Sequence, residues 1–192
     1  MVFDIFLGLF QFGFPLFNLD FVGFNLHKWI GAPLGVGLMY IRKSRMLDID
    51  TKSSKGPAGN DDINNRVQTG TMNLAAVLSV RDALLFLADI GIVHIDRRFK
   101  ALRHEWVKEF LDDDRVDILT PEDDRMHAGL TSFRIKAHPN AVELGNTLLR
   151  DYGINSAPIG NMNAIRISPG LYSSKADMAA LAVAIKEIAD KL

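Results

Sequence analysis

The sequence predicts an α/β chain whose second half is a small α+β layer, and three observations carry that expectation. From residue 116 onward, strand-like and helix-like segments follow one another as strand, strand, helix, strand, helix. Before them, the 69–91 stretch "TGTMNLAAVLSVRDALLFLADIG" repeats Leu74, Val77, Leu78, Leu85 and Ala88 at helical spacing. Earlier still, "GVGLMYIR" (35–42) is an unbroken apolar run bounded by Gly35, the pattern of a buried strand.

Each element has its own local reason. The 69–91 helix has Thr71 or Asn73 available as its cap and Gly91 as its stop. A charged amphipathic helix follows over 95–111. "VDILT" (116–120) and "GLTSFRIKA" (129–137) read as strands, and "NAVELGNTLLRDYGI" (140–154) as a helix closed by Gly153. "NAIRISP" (163–169) is a strand, and "SKADMAALAVAIKEIADKL" (174–192) a terminal helix opened by a Ser/Asp cap. This set suits an α+β layer, whereas one strand and one long helix in the first half are too few to close a layer alone. The polar, turn-rich stretch 44–65 is expected to be a long surface loop.

Composition narrows the function classes. The 192 residues are 48% hydrophobic, enough for one good-sized domain or two small ones. Lys plus Arg (22) and Asp plus Glu (23) leave a formal net charge of −1, which gives no electrostatic reason to expect a nucleic acid or an anionic membrane. The chain has no cysteine, so disulfides, thiolate metal sites and cysteine nucleophiles are excluded. A cytoplasmic location fits. Residues 1–17, "MVFDIFLGLFQFGFPLF", are apolar but short and interrupted, and no Lys or Arg comes before Lys28, which argues against both a spanning helix and a secretory leader.

Chemistry concentrates in "NLHKWIGAPLGVGLMYIR" (25–42). Lys28 lies in a locally apolar context of Phe24, Trp29, Ile30 and Pro33, and a desolvated lysine amine is a covalent catalyst. The competing reading is a surface lysine whose stem covers Trp29. Gly31, Gly35 and Gly37 permit tight turning or close backbone approach. Arg166 sits between Ile165 and Ile167, where a guanidinium must find an anionic partner or reach solvent. His94, His104, His127 and His138 show no metal-ligand spacing and read as surface or packing residues.

The order of these features resembles the class V aminotransferases, which are fold-type I pyridoxal-phosphate enzymes and include isopenicillin N epimerase-like proteins and cysteine desulfurases. The resemblance covers roughly residues 18–192 and rests on "NLHKWIGAPLGVGLMYIRK", "RVQTGTMNLAAVLSVRDALLFLADIG" and "NAIRISPGLYSSKADM". It implies that Lys28 forms the internal Schiff base with pyridoxal 5′-phosphate and that His27 lies against the cofactor phosphate. Asn25 stands where the family often has a phosphate-binding hydroxyl. It implies that Gly70 and Thr71 reach the partner's cofactor phosphate across a homodimer interface, and that Arg166 binds the α-carboxylate of an amino-acid substrate. The implied organisation is a remnant of the large cofactor domain at 1–70, a connecting helix at 71–94 and the small domain at 95–192.

Two further expectations come from the family pattern. The family's ring-nitrogen aspartate lies upstream of the lysine in an Asp-Gly-Ala-His type segment. Here the corresponding stretch is "MVFDIFLGLF", and Asp4 lacks the flanking pattern. The chain is therefore expected to be a truncated form that alone binds the cofactor poorly. The reaction is expected to be transamination or epimerisation, since a chain with no cysteine does not supply the desulfurase nucleophile. The alternative is a catalytically inactive C-terminal remnant that serves only as a folded or dimerising domain.

Overall fold

The structure, a computed structural model, describes residues 18–50, 63, 66–67 and 70–192. The apolar 1–17 segment and most of the expected 44–65 loop lie outside the described residues. The chain divides into two compact units, one ending at Ile92 and the other running from Val93 to Leu192.

The first unit contains an antiparallel hairpin of β1 (Phe21–Asn25) and β2 (Gly37–Ile41), in the register Phe21 with Ile41 through Asn25 with Gly37. Arg42 closes its open end, pairing with Asp20 at 2.8 Å and donating to Asn18 Oδ1 at 3.0 Å. A 3-10 helix at Lys43–Asp48 follows. Helix α1 (Leu74–Ile90) starts at the second of the two caps the sequence offered: the Asn73 side chain accepts the Ala76 N–H at 3.2 Å.

Burial in this unit departs from expectation. β2 was expected to be a buried strand, yet Leu38 and Met39 are exposed, and among the described residues β2 pairs with β1 alone. The helical stripe of α1 is likewise exposed at Leu74, Leu78 and Leu85, and the residues it buries are Ala76 and Leu87. Period alone identified the helix but not the face that is covered.

The second unit is a four-stranded antiparallel sheet in the order β3-β4-β6-β5, packed with three helices. Its strands are β3 (Val116–Ile118), β4 (Thr131–Ile135), β5 (Ala157–Ile159) and β6 (Ala164–Ile167). The helices are α2 (Ile92–Val107), α3 (Ala141–Tyr152) and α4 (Lys175–Ala189). Asn140 caps α3 by accepting the Val142 and Glu143 N–H groups, and Ser174 with Asp177 forms a capping box on α4.

Alternation along the strands puts Thr131, Phe133 and Ile135 of β4 and Ile165 and Ile167 of β6 on the buried face. Phe133 is fully buried, opposite Ile165 in the register, and meets Trp106 edge-on with ring centroids 5.6 Å apart. Phe99 and Leu102 of α2, Leu148 of α3 and Ile185 of α4 complete the core. Among the described residues, no helix is long and apolar enough to cross a membrane.

Candidate functional site

The connection between β1 and β2 is a folded loop. The Ala32 N–H donates to the Leu26 carbonyl at 3.0 Å, and the Gly31 N–H to the Lys28 carbonyl at 3.0 Å. Gly31 has φ +77°, a backbone conformation that a side chain would strain. At Gly37 an added Cβ would stand 2.9 Å from the Phe24 carbonyl oxygen, so the strand needs glycine there.

These turns send Leu26, Ile30 and Ala32 inward and leave Lys28 exposed, with His27 half-buried beside it. The sequence suggested a desolvated lysine. Instead, its apolar neighbours take the buried positions and the lysine takes the outward one. No ion pair or side-chain hydrogen bond engages Lys28 or His27 among the described residues. Asn25 ends β1, exposed and opposite Gly37.

Gly70 and Thr71 are exposed in the bend before α1. An added Cβ on Gly70 would meet nothing within 4 Å. Since Asn73 takes the capping role, the Thr71 hydroxyl is not used to start the helix.

Arg166 belongs to the second unit. It lies on the solvent face of β6, opposite Ser132 of β4 on one side and Ala157 of β5 on the other. The same face carries Arg134, whose Nε donates to Asp117 Oδ2 at 2.8 Å, and Lys136 Nζ lies 3.3 Å from Asp117 Oδ1. Hydrogen bonds from Arg134 and Lys136 hold the Asp117 carboxyl below the usual carboxylate range. That carboxylate is thus engaged by two cations, and no side-chain hydrogen bond or ion pair engages Arg166 among the described residues. Its guanidinium donors are therefore not taken up by any carboxylate of the described residues. Sequence reasoning missed Ser132 and Ala157, since only strand pairing sets them beside Arg166.

A cleft of about 450 Å³ lined by His138, Thr147, Asp151, Tyr152, Glu187 and Lys191 lies between α3 and α4. None of the candidate residues lines it. Among the described residues, no group of His, Cys, Asp and Glu is arranged to hold a metal ion.

With this geometry in view, comparison with known proteins is decisive on one point. The Aminotransferase class-V family matches residues 11–181. The chain belongs to the class V aminotransferase family. That span includes both the Lys28 loop and Arg166. Among curated relatives, isopenicillin N epimerase of Streptomyces clavuligerus is 25% identical over 186 residues, which cover 86% of this chain and 46% of the relative. A probable cysteine desulfurase of Staphylococcus epidermidis is 25% identical over 188 residues, or 88% of this chain and 45% of the relative. The chain therefore spans about half the length of the class V relatives it matches.

Solved structures agree on the fold. A cysteine desulfurase of Escherichia coli superposes with a TM-score of 0.75 at 21% identity, covering 96% of this chain and 50% of the other. An alanine–glyoxylate aminotransferase of Nostoc sp. gives 0.67 at 16% identity, covering 92% of this chain and 49% of the other. The fold is shared with these two structures over about half of their length.

Proposed function

We propose that this chain serves a pyridoxal-phosphate enzyme of the class V aminotransferase type, acting on the α-amino group of an amino acid by transamination or epimerisation. The observation that carries the reading is the family match across residues 11–181, which takes in the Lys28 loop and the strand bearing Arg166. The two curated relatives above support the class without choosing between its reactions.

The residues fit the cofactor chemically. Lys28 offers an exposed amine with no carboxylate on it among the described residues, so the amine is accessible to an aldehyde. Asn25 and His27 flank it with an amide and an imidazole, both able to donate to a phosphate. When bound, the cofactor supplies an aldehyde for the lysine and a ring that withdraws electrons from the substrate α-carbon.

The chain's own residues account for the rest of the reading. The Lys28 amine holds the cofactor and, once released, carries a proton at the substrate α-carbon. Arg166 grips the α-carboxylate with two parallel hydrogen bonds, which fixes the substrate's orientation. Gly70 and Thr71 offer a backbone N–H and a hydroxyl to the phosphate of a second copy's cofactor, which makes the active form a homodimer. The chain contributes no thiol, so sulfur abstraction by a cysteine of this chain is outside the reading.

The test is covalent trapping. The full chain is incubated with pyridoxal 5′-phosphate, reduced with borohydride and mapped by mass spectrometry. Preferential labelling of Lys28, lost in Lys28→Ala while other lysines keep their background level, is the expected result. A chain that stays colourless at saturating cofactor, with Lys28 labelled no more than other lysines, would instead favour a non-catalytic folded domain.

A further inference from the structure

The connection between β3 and β4, residues 119–130, is tied to α2 at both ends. At its start the Arg103 guanidinium donates from Nη2 to the carbonyls of Thr120 at 3.3 Å and Pro121 at 3.2 Å. At its end Gly129 lies so close to α2 that an added Cβ would sit 2.6 Å from Phe99 Cβ. Between the ties, residues 121–126 are exposed, whereas His127, Ala128 and Gly129 are buried.

His127 is the unusual member of this loop. Its side chain is only 2% exposed, and the Glu122 backbone is within its reach, yet neither ring nitrogen makes a well-formed hydrogen bond among the described residues. Nε2 is 3.4 Å from Asp124 Oδ1, but Asp124 is 73% exposed and well solvated. Arg103, itself buried, also leaves its Nε without a partner. A buried imidazole next to a buried guanidinium is tolerable only while the imidazole is neutral.

We propose that His127 and Arg103 form a proton-sensitive latch that releases the 119–130 connection from α2 when the imidazole takes up a proton. The charged groups around His127 divide as follows. Arg103 and Lys100 of α2 repel an imidazolium, and Lys100 is partly neutralised by Asp96 at 2.8 Å. On the loop itself, Asp124 and the Glu122 backbone favour it, and Asp123 is engaged by Arg125. Burial is the largest influence and Arg103 the next, so together they hold the imidazole below its ordinary range.

The sign follows from that direction. An exposed imidazole titrates near about 6.5, so the released loop gains protons as pH falls below that value while the latched loop does not. The latched state is therefore fully favoured above about pH 6.5 and loses ground below it. Release requires residues 127–129 to leave their buried positions and Arg103 to let go of the Thr120 and Pro121 carbonyls.

Amide hydrogen exchange of the full chain tests the latch. After correction for intrinsic exchange, the opening of residues 119–130 should rise up to about 30-fold between pH 7.5 and pH 5. Residues 178–185 of α4 should stay unchanged, and His127→Gln should abolish the rise. In the proton NMR spectrum the His127 ring should titrate below the ordinary imidazole range. A rise under about threefold, the same rise in His127→Gln, or a ring that titrates at or above about 6.5 would overturn the proposal. Should His127→Gln not fold, the wild-type exchange profile and ring titration still decide it.

Discussion

Phe133 shows how strongly the sheet that carries Arg166 depends on the core beneath it. The side chain is fully buried, lies opposite Ile165 and packs edge-on against Trp106 at 5.6 Å. Phe133→Ala removes the ring and leaves a void that Trp106, held in turn by Phe110 at 6.2 Å, is poorly placed to fill. Burial loss plus cavity costs about 3 to 5 kcal/mol for such a change, of which the lost ring pair is about 1 kcal/mol. In a domain of about 100 residues each kcal/mol moves the melting midpoint by roughly 4 to 8 °C. The expected drop is therefore roughly 12 to 40 °C, enough to leave the unit marginal. Near-UV circular dichroism of the full chain follows it well, because Trp106 is rigidly buried in the folded unit. Urea unfolding should show a lower midpoint with an unchanged slope. A shift under about 5 °C would mean that the Trp106–Phe133 contact is not the keystone of this core, and the reasoning would fail.

Two further outcomes follow from the surface. Arg166→Met should leave the unfolding free energy from urea titration within about 0.5 kcal/mol of wild type, since Arg166 is exposed and no ion pair engages it among the described residues. A loss above about 1.5 kcal/mol would make it a structural residue and remove it as a free carboxylate anchor. Hydrogen bonds from the Arg115 side chain and backbone pull Asp113 down to about 2, so its stabilisation is complete above about pH 4 and fades as pH falls toward 2. Asp113→Asn should therefore cost on the order of 1 kcal/mol after allowance for solvent screening in chemical unfolding at pH 7, and nothing at pH 2. A cost that persists at pH 2 would place it in packing.

The legible parts of this protein are those whose signals are local. Helix α3 needed only Asn140 at its start, Gly153 at its end and apolar spacing between. Helix α4 needed only Ser174 and Asp177 in a capping box. The Lys28 and Arg166 segments were legible for a different reason: their residue order resembles a family, and the family match confirmed that resemblance. Strand β5 was missed because it is three residues long, contains Pro158, and exists only by pairing with β6. Strand β1 was missed for a similar reason, since its partner β2 begins twelve residues after it ends.

What the sequence by itself determined is where the chain coils, turns and changes direction, because capping groups and hydrophobic period act within a few residues. Only the tertiary structure decided which apolar faces are covered. The stripe of α1 and Leu38 and Met39 of β2 have core-like composition yet stand exposed, while the polar face of the sheet leaves the Arg166 side chain without a carboxylate partner among the described residues. Covering a face requires a second surface brought from far along the chain. Its identity is a property of the packed whole, and no local run of residues encodes it.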